Sequence, residues 1–108
     1  MLKGKLTLMM LTISMVGCSS IIQTASITEA YEYFYAQDYK HTIELVTRAE
    51  SINETPHEMK AELTYLKAQA HEGLGHQEVA DTLYEYLVDQ HRDSQYGYLA
   101  SKKLAKRM

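Results

Sequence analysis

The chain of 108 residues contains one cysteine, one proline, one phenylalanine and no tryptophan. A single cysteine excludes an intrachain disulfide and any cysteine-rich zinc knuckle. With so few breakers and no sustained period-two alternation of apolar residues, strands are not expected. Neither a Gly-rich phosphate loop nor a nucleophile elbow is present. Positive charge is scarce away from the ends: residues 18–101 hold 5 basic against 14 acidic side chains. A body with that surplus repels a phosphate backbone, so nucleic acid is not expected as a partner. The length supports one core, and 45% hydrophobic with 23% charged residues is globular composition.

The N-terminus reads as an address. Lys3 and Lys5 precede the apolar run Leu6 to Val16, which ends in Gly17-Cys18-Ser19-Ser20. A basic region, a short apolar core and a small residue before a cut describe a secretory signal peptide. The run stops after eleven residues, whereas a membrane span needs about 20. Met15-Val16-Gly17-Cys18 resembles the bacterial lipobox, with Met in place of the commoner Leu. The resemblance implies that residues 1–17 are removed and that Cys18 is lipidated. Several acyl chains would then anchor it stably, each buried CH₂ contributing about 0.8 kcal/mol. Ser19 in place of Asp, by resemblance to sorted lipoproteins, implies the outer membrane. Residues 18–25 are expected to form a short tether and 26–108 the folded domain.

Five helices are expected. Ser26-Ile27-Thr28-Glu29 reads as a capping box opening a first helix to about Gln37. Asp38 caps a second, Tyr39 to about Ile52, with Ile43, Val46 and Ala49 along one side. Thr55-Pro56-His57-Glu58 opens a third, carrying Met59, Leu63, Leu66 and Ala70 and ending at Gly73-Leu74-Gly75. A fourth, Gln77 to Gln90, carries Val79, Ala80, Leu83, Leu87 and Val88. Asp93 or Ser94 caps a fifth, with Tyr96, Leu99, Ala100 and Leu104 facing inward. The fold class is all-α.

Gln37-Asp38-Tyr39 and Gly75-His76-Gln77 occupy equivalent places between two helices, offset by 38. Here the chain resembles the tetratricopeptide repeat, a unit of about 34 residues and two antiparallel helices. The family's small and aromatic positions fall on Ala68, Gly75, Ala80 and Tyr84 in the second unit, and on Ala30, Tyr33 and Ala49 in the first. Thr42, Gln37 and Leu87 depart from the pattern. The resemblance implies two antiparallel helix pairs with a C-terminal capping helix, a short right-handed solenoid; a non-repeat five-helix bundle is the alternative. In the family the first helix of each pair lines a concave groove. That placement carries Ile27, Tyr31, Phe34 and Tyr35 from the first unit and Glu62, Tyr65, Gln69 and Glu72 from the second. Aromatic rings in an acidic groove suit a peptide; the same rings could instead fill the core or cover an exposed repeat end.

Catalysis is not expected. His71-Glu72-Gly73-Leu74-Gly75-His76 imitates the zinc-protease helix H-E-x-x-H but places the second His at i+5, about 140° away on a helix. His41, His57 and His91 sit near helix ends, where solvated or capping roles are expected, and no metal ligand or cofactor is assigned. Glu44, Glu58, Glu62, Glu78 and Glu85 fall on polar helix faces. Lys102, Lys103, Lys106 and Arg107 complement a helix C-terminus or meet lipid headgroups or an acidic partner. The expected role is that of an adaptor in the bacterial envelope, binding an export, secretion or assembly protein. The alternatives are a regulator of a cell-wall enzyme and a small-ligand or metal carrier.

Overall fold

The computed structural model describes residues 18–52 and 55–107, so the leader over 1–17 lies outside the described residues. Among the described residues five helices follow one another: α1 (Cys18–Tyr35), α2 (Tyr39–Glu50), α3 (His57–Gly73), α4 (Gln77–Gln90) and α5 (Gln95–Ala105). Among the described residues there is no strand, as the sequence periodicity requires. Each helix packs on the next, and α3 also touches α1 and α5, whereas α2 and α4 do not touch. The helices therefore form two layers, α1, α3 and α5 in one and α2 and α4 in the other. Connections of three residues after α1 and α3 reverse the chain, so each pair is antiparallel.

Both reversals use the same device. After α1, Asp38 N–H donates to the Tyr33 carbonyl and Gln37 N–H to Phe34; after α3, His76 N–H donates to His71 and Gly75 N–H to Glu72. This is the six-to-one, five-to-two pattern of a Schellman cap, which puts the residue past the helix end in the left-handed region. Gln37 has φ 62° and Gly75 φ 79°. The Asp38 side chain then accepts from His41 N–H, opening α2 as expected. Ser94 opens α5, accepting from Tyr96 N–H at 3.0 Å.

Two helix starts differ from the sequence expectation. The capping box at Ser26 does not begin α1, which continues back to Cys18. No Pro or Gly lies between Ser19 and Ser26 to stop it, and Thr28 Oγ1 donates to the Thr24 carbonyl four residues back, a bond made inside a helix. At α3 the cap is Pro56 rather than Thr55; the Thr55 hydroxyl turns back to the Ile52 carbonyl at 2.7 Å. Also, α2 ends at Glu50, two residues before the expected Ile52.

The core has two clusters. Ala30, Leu45, Val46, Ala49, Leu63 and Leu66 form the first, with Ile27, Tyr31, Tyr33, Phe34 and Met59 packed on its edge. Ala61, Ala68, Ala80, Tyr84, Leu87 and Ala100 form the second, with Tyr65, Leu83, Val88, Tyr96 and Leu104 at its edge. Ile43 is half-buried and Val79 exposed, so Thr42, Leu45 and Tyr84 take the central places that apolarity alone would have given to them. Gly97 lets α5 cross the end of α4, since a Cβ there would run into the His91 carbonyl oxygen.

Candidate interaction face

The layer of α1, α3 and α5 carries all eight residues assigned to the groove. Ile27, Tyr31 and Phe34 are half-buried against the first core cluster. Tyr35 is 78% exposed, with its ring on Tyr31 at 6.2 Å and edge-on to Phe34 at 5.7 Å. Tyr33 lies apart, stacked on His41 at 5.1 Å, as steps of about 100° per residue demand.

On α3, Glu62 accepts from Tyr31 Oη at 2.8 Å, which ties the two helices across the face. Tyr65 sits between Tyr84 and Tyr96, its ring 5.8 Å and 5.7 Å from theirs. Gln69, one turn further along α3, is half-buried. Glu72 accepts from Tyr84 Oη and pairs with Arg107 at 3.1 Å and Lys103 at 3.6 Å.

Burial raises the pKa of all four phenols in this row. The Glu62 carboxylate adds to it for Tyr31 and Tyr96, and Glu72 does so for Tyr65 and Tyr84. Each phenol therefore keeps its proton and acts as a donor. The face is a row of rings punctuated by two carboxylates, with one ring, Tyr35, projecting into solvent.

In the basic tail, Lys102 and Lys103 lie in the last turn of α5, as a helix C-terminus favours, and further contacts are made across the fold. Arg107 pairs with Asp81 as well as Glu72, and its guanidinium lies over the Tyr84 ring at 5.5 Å. Lys102 covers the exposed Tyr98 ring at 4.7 Å. Two of the four terminal cations thus close the acidic end of the face, a tertiary contact that no local pattern encodes.

Two histidine pairs also form. His91 is buried with its ring 4.2 Å from His57, and its Nδ1 has no hydrogen-bond partner among the described residues. His71 and His76, expected to diverge, meet with their Nδ1 atoms 3.3 Å apart. Between α2, α3 and α4, a cavity of about 400 Å³ is lined by Glu50, Lys60, Thr64, Lys67, Leu83 and Tyr86, with the Lys67–Glu50 ion pair at 3.3 Å on its wall. No helix among the described residues is long and apolar enough to cross a membrane. No family model matches the chain, and no curated protein or solved structure matches it either.

Proposed function

We propose that this chain is a lipid-anchored tetratricopeptide-type adaptor of the bacterial outer membrane that holds a periplasmic partner protein or peptide on the α1–α3–α5 face. The observation that carries the reading is Tyr35: a large ring, 78% exposed, continuous with the half-buried row Tyr31, Tyr65 and Tyr96. An apolar ring left in water at the open end of an aromatic row costs solubility and is useful where a partner covers it. The helical reach from Cys18 to Ser26 supports work close to the bilayer. At about 1.5 Å per residue it spans roughly 12 Å, half of what an extended tether would.

Two experiments test the reading. Cys18→Ser should accumulate an unacylated precursor and lose the outer membrane; normal processing and sorting of that variant removes the anchor. A photo-crosslinking residue at Tyr35 should trap one envelope protein that the same residue at exposed Glu85, on α4, does not. Equal trapping at both positions moves the partner off this face. Tyr35→Ala should then weaken that partner by about tenfold, ~1.4 kcal/mol, while leaving stability within about 0.5 kcal/mol.

A further inference from the structure

The paired imidazoles at the end of α3 have no part in the adaptor reading. His71 occupies the last turn of α3 and His76 precedes the first residue of α4. On a continuous helix the two would diverge. The Schellman cap brings them together, because Gly75 at φ 79° folds the chain back and the bond from His76 N–H to the His71 carbonyl, 2.9 Å, fixes their backbones against each other. Their Nδ1 atoms then lie 3.3 Å apart, with ring centroids at 5.6 Å.

That separation has a chemical meaning. It is long for a hydrogen bond between two ring nitrogens. Two nitrogens at about 2.05 Å from one tetrahedral Zn²⁺ ion are ~3.3–3.4 Å apart, whereas a right-angled arrangement would need ~2.9 Å. We propose that His71 and His76 form a two-imidazole site for a tetrahedral divalent transition ion, Zn²⁺ above all, with both Nδ1 atoms as ligands.

Each ring then carries its proton on Nε2, and the one proton that the two Nδ1 atoms could share gives way to the metal. Both imidazoles ligate in the neutral form, so binding is expected to weaken in acid. His76 is exposed, so an ion reaches the pair from solvent. Among the described residues no third His, Cys, Asp or Glu completes a cluster. The nearby Glu72 carboxylate is already shared by Tyr84, Lys103 and Arg107. Two coordination positions are therefore left to water, which makes the site exchangeable rather than structural. The i+5 spacing that rules out a protease helix becomes a chelate because Gly75 turns the chain between the two rings.

The test is a Zn²⁺ titration of the full chain in detergent, followed by thermal melting. Saturating Zn²⁺ should raise the midpoint by about 4 °C or more. His71→Gln and His76→Gln should each weaken Zn²⁺ binding about tenfold or more, since either change turns a chelate into a single ligand. His41→Gln should leave it unchanged. His76 makes no side-chain cap bond and His71 is not a cap residue of α3, so both variants should fold. Co²⁺ in place of Zn²⁺ should give the intense visible absorption of a tetrahedral ion, and lose it in both variants. No rise in the parent protein, or an equal rise in the two variants, overturns the site; the second result would move binding to the His57–His91 pair.

Discussion

At an offset of 38, the first helix pair buries Ala30, Thr42, Val46 and Ala49 where the second buries Ala68, Ala80, Tyr84 and Leu87. The backbones match closely: Asp38 and His76, which precede α2 and α4, have φ −90°, ψ 74° and φ −86°, ψ 69°. What fills the frame does not match. The first pair has small aliphatic side chains at its centre and brings Tyr31, Tyr33 and Phe34 in from the edge. The second sets one fully buried ring, Tyr84, among four alanines. Thr42, where the second pair has Ala80, satisfies its hydroxyl by donating to the Asp38 carbonyl at 2.9 Å. The frame is thus held by backbone caps and small residues at the close approaches, and side-chain volume is free to move within it.

The sharpest way to break that comparison is to empty the second pair. Tyr84→Ala should cost ~3–5 kcal/mol, because a fully buried ring is lost and alanine neighbours cannot close the cavity. Its counterpart Val46→Ala should cost about 1–2.5 kcal/mol. Urea unfolding of both variants measures the difference. Equal costs would mean that the two centres are filled alike.

The last helix offers the next largest effect. Gly97→Ala should destabilise by about 1–3 kcal/mol, since its Cβ would meet backbone of His91 rather than a side chain able to turn away. Ala at Gly73 should be milder, because the obstacle there is the ring of Tyr39. An unchanged midpoint for Gly97→Ala would show that α5 can slide along α4.

The α4–α5 junction should also respond to acid. His91 is held below its ordinary pKa mainly by burial, helped by His57 and Lys60 and opposed by Glu58; the other group against its ring is Tyr86, at 5.6 Å. A lowered pKa means that the unfolded chain takes up the proton first as pH falls, so stability should decline below about 6.5. In the first pair His41 shifts upward, chiefly through its hydrogen bond to Asp38. Its contribution is present at low pH and fades as pH rises through its folded pKa. His91→Phe should flatten the acid limb, and His41→Gln should change the opposite one. Melting from pH 5 to 8 separates them, and an acid limb that survives His91→Phe assigns the loss elsewhere, with His71 the next candidate.

Much of this frame was legible because it is local. Apolar spacing identified five helices, Asp38 announced the cap of α2, the cap of α5 was narrowed to Asp93 or Ser94, and Gly75 marked the turn after α3. The start of α1 was misread because a capping box is a preference, and without a breaker between Ser19 and Ser26 the helix continues through it. Thr55 lies one residue outside the helix because the extended Pro56 (φ −56°, ψ 147°) takes the cap position, its carbonyl accepting the first intrahelical bond from Lys60 N–H. Contacts made by folding could not be read from spacing. Arg107 reaching Glu72 and Asp81 joins three elements, and His71 meets His76 only because the angle between them on an ideal helix does not apply once Gly75 turns left-handed.

The smallest effect goes to the heart of the comparison, the residue past the end of the first helix in each pair. Gln37 and Gly75 adopt the same left-handed conformation, at φ 62° and 79°. For a residue with a Cβ that conformation costs roughly 1–2 kcal/mol; glycine avoids the clash but gives up more chain entropy on folding, about 0.5–1 kcal/mol. Gln37→Gly should therefore stabilise the protein by about 0.5–1 kcal/mol, and Gly75→Gln should destabilise it by a similar amount. Gln37 is exposed, and space is open around Gly75, so neither change alters packing and the difference isolates the backbone. If the two caps are equivalent, the double variant should return the midpoint close to that of the parent. A double variant well below it would mean that one cap depends on its side chain, and that the repeated turn is repeated in shape alone.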